Sequence, residues 1–302
     1  MTESLDPPRI AAAPISWGVC EVPGWGHLLD ARTVLAEMAA LGITATELGP
    51  PGYLPTEPGV SRGLLDGFGI EAVGGFLATV LHREPERALA LARDTVAIFA
   101  GCGADVLVLA AATGLTGYDT RPRLTGPEWR TLVTTAAAIR DIAAADGVRT
   151  VLHPHIGTHV ETEPEVERFL ADSDLDLCLD TGHLLVGGTD PVLLARGYSA
   201  RIGHIHLKDV RLAVLDEIRS GRIEYSDAVR RGLYAPLGAG DVDIAALVRV
   251  MRSAGYRGWY VIEQDTVLDT GASAETPSGD MRVSLDYLSA VGFAADSAPV
   301  YR

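Results

Sequence analysis

Eight short β-type runs, each followed by a longer stretch of helical spacing, constrain the architecture of this chain more than any other feature. The runs cover residues 10–15, 44–48, 71–76, 106–110, 148–153, 175–180, 202–207 and 259–263. Helical periodicity covers 31–41, 84–100, 126–145, 163–171, 191–198, 244–254 and 278–291, with a weaker pattern over 60–68. Such alternation implies a parallel sheet joined by right-handed crossovers. Local chemistry agrees at several boundaries: Asp30 is placed to cap the first helix, Thr125 or Gly126 with Pro127 opens the fourth, and Gly42, Gly147 and Gly255 stand where helices end. Eight βα units fit the size of a closed (β/α)8 TIM barrel. A doubly wound sheet would carry a glycine-rich first turn, and Trp17-Gly18-Val19-Cys20-Glu21-Val22-Pro23-Gly24 does not fit GxGxxG. Residues 1–302 therefore read as one α/β barrel domain. Its longest irregular stretch, about 209–240, contains a helical pattern over 214–231 and is expected to form a lid-like segment or substrate wall over the barrel mouth.

Composition narrows the partners. Of 302 residues, 47% are hydrophobic, enough for one large core. Twenty-five basic residues against forty acidic ones give a net charge of −15, which repels nucleic acid and anionic membranes. No run approaches the roughly 18 apolar residues of a membrane span, and the start, MTESLDPPRIAAAP, lacks the basic-then-apolar order of a secretion signal. A cytoplasmic protein is expected. Cys20, Cys102 and Cys178, odd in number and far apart, read as reduced thiols.

Four polar residues, His153, Asp180, His206 and Glu263, stand at or beside the ends of strand runs, where the mouth of a barrel would gather them. Any one histidine in such a place is usually an ordinary polar side chain; the coincidence of four suggests a metal site. Oxygen and imidazole donors without thiolate suit Mn2+, the first expectation, and equally Co2+, Mg2+ or Zn2+. Asp180-Thr181-Gly182-His183 sets an imidazole three residues beyond a carboxylate. His204, His206 and Lys208 alternate along one strand face, with His206 nearer the rim and His204 one layer deeper. Two other clusters have plain readings. Glu161, Glu163, Glu165 and Glu167 surround a helix start as a solvated first turn, and Arg219, Arg222, Arg230 and Arg231 read as surface charges of the 209–240 segment.

The segments His204-Ile-His-Leu-Lys-Asp209, Leu179-Asp-Thr-Gly-His183, Pro236-Leu-Gly-Ala-Gly-Asp-Val-Asp243 and Gly255-Tyr-Arg-Gly-Trp-Tyr-Val-Ile-Glu263 resemble the xylose-isomerase-like family of sugar isomerases, epimerases and dehydratases. Ala13-Pro-Ile-Ser-Trp-Gly18, Ala45-Thr-Glu-Leu-Gly49 and His153-Pro-His-Ile-Gly-Thr-His-Val-Glu-Thr162 are most similar to the inosose (2-keto-myo-inositol) dehydratases within it. Epimerases similar to this chain place metal-ligating glutamates at the ends of the fifth and eighth strands, and the pair exchanges a proton with opposite faces of one carbon. Here the fifth-strand position is His153, so one of the two carboxylates is missing. The resemblance thus implies a divalent-metal-dependent lyase that removes water next to the carbonyl of a keto-cyclitol such as 2-keto-myo-inositol, or of a similar keto-sugar. A sugar isomerase or epimerase, and a lyase acting on 3-keto-glycosides, are the alternatives. An apurinic endonuclease, also of this fold, would need a basic DNA-facing surface. On the dehydratase reading the acid and base come from His155, His183, Lys208 and Glu263, with the two roles unassigned. Pro154 leaves open whether the strand carries His155 into the site. Glu47 and Trp17 are expected to bind substrate hydroxyls and pack on its ring. The implied partner is a small polyhydroxy ketone, and homo-oligomerisation is left open.

Overall fold

Eight parallel strands close into the barrel that the alternation implies. They are β1 (Arg9–Ala12), β2 (Ala45–Glu47), β3 (Glu71–Thr79), β4 (Val106–Ala111), β5 (Arg149–Leu152), β6 (Asp176–Asp180), β7 (Ile202–Leu207) and β10 (Trp259–Ile262). Hydrogen bonding runs in the order β1-β10-β7-β6-β5-β4-β3-β2 and closes through Ala12 opposite Thr46. The computed structural model describes residues 8–20, 22 and 24–293; the first seven residues of the N-terminal stretch, and Glu21 and Pro23 of the first turn, lie outside them. Among the described residues no helix is long and apolar enough to cross a membrane, and none of the three buried cysteines is in a disulfide.

The outer helices begin and end on the expected chemistry. Asp30 caps α1 (Ala31–Ala40) by accepting from the N–H groups of Arg32 and Thr33. Thr125 and Glu128 form a reciprocal capping box at α4 (Gly126–Ala145). Gly42, Gly147 and Gly255 follow their helices with φ of 78°, 76° and 80°, a region that side chains disfavour. Helices α2 (Pro58–Phe68), α3 (Pro85–Cys102), α5 (Glu163–Asp172), α7 (Pro191–Tyr198), α10 (Ile244–Ser253) and α11 (Glu275–Leu288) complete the ring.

Departures from the expected pattern have local causes. The first strand stops at Ala12 because Pro14 opens a short 3-10 turn, Pro14–Trp17, which Gly18 ends. The fifth stops at Leu152, before Pro154. A short helix unforeseen in the sequence, α6 (Thr181–Val186), follows β6 directly, because Asp180 turns its carboxylate onto the N–H groups of Gly182 and His183. The single helix expected over 214–231 is two, α8 (Leu212–Arg219) and α9 (Tyr225–Arg230), separated where Gly221 adopts φ 68°. This segment leaves and rejoins the barrel through an antiparallel ribbon of β8 (Asp209–Val210) and β9 (Tyr234–Ala235). Asp209 fastens the ribbon. Its two carboxylate oxygens accept backbone N–H bonds from Val210, Gly238, Gly240 and Val242 at 2.9–3.0 Å.

Candidate metal centre

The strand register brings the expected donors to one place. Asp180 on β6 lies level with His206 on β7, and His206 with Val261 on β10, one residue below the Ile262 that precedes Glu263. Capping α6 occupies Oδ1 of Asp180 with two N–H bonds of 2.8 Å, which fixes the carboxylate and leaves Oδ2 facing the centre. Oδ2 lies 3.3 Å from His153 Nε2 and 3.7 Å from His206 Nδ1. His206 Nδ1 is 3.1 Å from Glu263 Oε2. Asp180, His206 and Glu263 form one set of donors that all fall within 4.8 Å of one another, and His153 joins Asp180 in an adjacent set with His183. A third set, His153 with Cys178 and His206, is chemically unsuited, because burial lifts the Cys178 thiol to about 11 and keeps it from ionising.

Glu47 lines the cavity as expected and also braces the strand histidines. Its Oε1 accepts from both His204 Nε2 and His206 Nε2 at 3.0 Å, which orients the His206 imidazole. Burial opposes its charge, yet the two imidazoles hold its pKa far below the usual range. His206 has the converse shift. Burial lowers its pKa, but Cys178, Glu263 and Glu47 raise it well above the ordinary histidine value.

Charge and unmet bonding both fit a divalent cation. Glu47, Asp180 and Glu263 are buried around one ammonium, Lys208, which Asp265 also contacts. Even with His206 protonated, four carboxylates against two cations leave an excess of two negative charges in an interior that penalises each of them. His206 Nδ1 is buried, faces two carboxylates and makes no hydrogen bond. A proton is the small cation this pocket attracts there, and a divalent ion held by Asp180, His206 and Glu263 with His153 alongside suits the same donors better. Burial keeps His153 neutral, as a ligand must be.

Beside this cluster a closed ring of hydrogen bonds forms whose directions are fixed by chemistry. Lys208 Nζ donates to Asp265 Oδ1 at 2.7 Å and to His183 Nε2 at 3.0 Å. Since Nε2 accepts, the proton of His183 resides on Nδ1, which donates to the Tyr234 hydroxyl at 3.3 Å. Tyr234 then donates to Tyr225 at 3.0 Å, and Tyr225 to Asp265 Oδ2 at 3.3 Å. Burial disfavours the Lys208 charge, but Asp180, Asp265 and Glu263 raise its pKa well above normal, so it stands as an ammonium 3.1 Å from Glu263 Oε2 and 3.4 Å from Asp180 Oδ2.

His155 reaches the site although β5 has ended. Its ring lies 3.9 Å from that of His183, and its Nδ1 bonds the Ile156 carbonyl. Burial, then His153 and Lys208, lower its pKa to about 3, so it is neutral near pH 7.

A cavity of about 570 Å3 opens above these groups, lined on its floor by Glu47, His153, His155, His183, His206, Lys208, Glu263 and Asp265. Trp17, expected to pack on substrate, does not line it: the indole is fully buried and its Nε1 donates to Ser278 on α11 at 3.1 Å. The following loop supplies Trp25 instead, fixed by its Nε1 bond to the Thr266 carbonyl. The 209–240 segment contributes no residue to the lining either. It backs the site with the buried Tyr225 and Tyr234, while the walls come from the loops after β1, β2, β4 and β5 and from β3 itself. Of the acidic run, Glu163 and Glu167 are solvated, but Glu161 and Glu165 clamp Arg121 at 2.9 and 3.0 Å. Arg219, Arg222, Arg230 and Arg231 are exposed as expected. Asp265, Tyr225 and Tyr234 were missed. Asp265 was within reach, since it stands two residues beyond Glu263, the spacing that linked His206 with Lys208; the tyrosines had no comparable signal.

A closed parallel barrel with its polar cluster at the C-terminal ends of the strands is the arrangement of a TIM-barrel enzyme. This chain belongs to the xylose isomerase-like TIM barrel family, whose profile matches residues 35–290. It is 33% identical over 278 residues to the inosose dehydratase of Geobacillus kaustophilus, covering 88% of this chain and 90% of that protein. Among solved structures, the D-psicose 3-epimerase of Clostridium cellulolyticum H10 superposes with a TM-score of 0.71 at 15% identity, covering 94% of this chain and 99% of that one. A probable 3-DHS dehydratase, AsbF from Bacillus anthracis, gives 0.69 at 16%, covering 93% and 98%. At such identities the two structures speak for the fold alone. The sequence relatives agree with the family assignment.

Proposed function

We propose that the protein is a divalent-metal-dependent hydro-lyase acting next to the carbonyl of a keto-cyclitol such as 2-keto-myo-inositol, or of a closely similar keto-sugar. The observation that carries this reading is the pairing of Glu263 with Lys208. A carboxylate held ionised and an ammonium held protonated lie 3.1 Å apart on one side of the cavity floor. Elimination needs one base and one acid, whereas the epimerase arrangement needs bases on opposite faces, and His153 stands where the second carboxylate would be.

An ion held by Asp180, His206, Glu263 and His153 supplies Lewis-acid stabilisation of negative charge on the carbonyl oxygen; Mn2+, Co2+, Mg2+ and Zn2+ all suit the donors. Both contacts of Glu263, to His206 and to Lys208, use Oε2, leaving Oε1 to take the proton from the carbon next to the carbonyl. The C–O bond at the adjacent carbon breaks, and the departing hydroxide leaves as water with a proton from Lys208. The Lys208–His183 bond lies on the path by which that proton is replaced. The Ile156 carbonyl engages Nδ1 of the neutral His155, whose ring lines the cavity, and this leaves its Nε2 to accept from a hydroxyl of the ketone.

The test is to incubate metal-loaded protein with a panel of keto-inositols and keto-sugars and follow the ultraviolet band of the dehydrated dicarbonyl. Loss of water from a keto-cyclitol is expected. Inversion of a ketose centre without loss of water would replace this reading with the epimerase one.

A further inference from the structure

The cavity above the cluster is polar on its floor and almost wholly apolar on its walls. Ala13, Ile15, Val19, Trp25 and Leu115 line its sides, and Phe76 stands edge-to-face with His153 at 5.8 Å between ring centroids. Among the described lining residues, every carboxylate, ammonium and imidazole belongs to the floor. Higher up, the lining carries the hydroxyls of Thr113, Thr116, Tyr118 and Thr158, the Cys20 thiol and the Trp25 indole, and no amide or charged side chain. Thr158 Oγ1 donates to the His155 carbonyl, Thr113 Oγ1 accepts from the Leu115 N–H, and the indole N–H of Trp25 donates to Thr266.

A bare cyclitol does not match these walls. It carries a polar oxygen on every ring carbon, and each hydroxyl pressed against hydrocarbon without a partner forfeits its bonds to water. Aromatic walls alone are common where sugars bind, but they are accompanied by amide or charged side chains that answer the hydroxyls, and these walls have none. Size agrees: about 570 Å3 falls within the roughly 300–1,000 Å3 of pockets that hold drug-sized ligands, whereas an inosose has only about a dozen non-hydrogen atoms.

We propose that the substrate is a keto-polyol bearing an apolar substituent, an O-alkyl or O-aryl group, with its keto-hydroxy end on the metal floor and the substituent between the loops after β1 and β4. The inference rests on the proposed lyase chemistry and adds what the distal part of the substrate must be. Binding energy from that remote group holds the reacting end in place.

The experiment compares 2-keto-myo-inositol with a set of its mono-O-benzyl ethers on the metal-loaded protein. At least one ether is expected to exceed the parent in kcat/KM on the order of tenfold to a hundredfold, the yield of burying one phenyl ring, with most of the gain in KM. Leu115→Asn and Ile15→Asn, both at incompletely buried positions, should shrink that ratio toward one. If no ether surpasses the parent, the proposal is overturned. Calorimetry with myo-inositol and its O-benzyl ethers, which cannot be dehydrated by this route, separates the two readings. Tighter binding of an ether with no turnover of any ketone would uphold the apolar subsite and reject the lyase chemistry. Turnover of the bare ketone with no preference for an ether in either assay would do the reverse.

Discussion

The Tyr225 hydroxyl, carried by the second helix of the 209–240 segment, donates to Asp265 Oδ2 at 3.3 Å, just past the last barrel strand. That bond closes the ring through Lys208, His183 and Tyr234 and fixes which way each proton points. Tyr225→Phe should therefore lower kcat about tenfold, the worth of one buried hydrogen bond, with KM changed by less than about twofold. The 15N shifts of His183 should still report the Nδ1–H tautomer, because Lys208 continues to donate to Nε2. An unchanged kcat would assign Tyr225 to packing alone.

Metal content separates ligand from base. Asp180→Ala should bind less metal, while Glu263→Gln should lose turnover more completely than metal, because the amide keeps an oxygen donor but cannot take a proton. Chelation of the native protein should lower its melting temperature by several degrees, since an ion at about 100 times its Kd contributes about 2.7 kcal/mol. Full metal and near-normal rates in both variants would dissolve the proposed centre.

Restoring a glutamate on the fifth strand tests the lost epimerase pairing. His153→Glu should retain metal, because carboxylate and imidazole both suit a divalent ion, and should shift product from the dehydrated ketone toward proton exchange at the neighbouring carbon. NMR in D2O distinguishes a ring dicarbonyl from a deuterated isomer of the starting ketone. An unaltered product ratio would show that residue 153 does not set the outcome.

Away from the centre, His82 and His159 pack edge to face with ring centroids 4.4 Å apart, and each buries a nitrogen without a partner. Burial, then His82 and Arg121, lower His159 to about 4. The unfolded chain takes up this proton below about pH 6.5 while the folded protein does not. Stability should thus be complete above pH 6.5 and fall by on the order of 1 kcal/mol, solvent screening included, as the pH drops toward 4, a loss that His159→Gln should largely remove. Urea titrations from pH 4 to 7 measure it; identical slopes in variant and native protein would disprove the assignment.

The barrel was legible because its strands and helices differ in period and its helix ends carry their own caps, as at Asp30 and Thr125. The candidate donor cluster was legible because strand ends in one barrel meet, so position along each run stood in for position in space. What escaped depended on backbone direction past those ends. Trp17 looked like a rim aromatic until Pro14 turned the chain and sent its indole beneath α11. Tyr225 and Tyr234 lie far from the motifs in sequence and reach them only because the long segment folds back, which no local pattern announces.

The four-bond hold that Asp209 keeps on residues 210, 238, 240 and 242 makes the excursion between them a detachable module. Both its roots are pinned directly beside Lys208, so insertions or deletions near the Gly221 break can accumulate without moving the ammonium. New second-layer residues can be tried behind a fixed catalytic floor, and a barrel of this kind can diversify there while its chemistry is conserved.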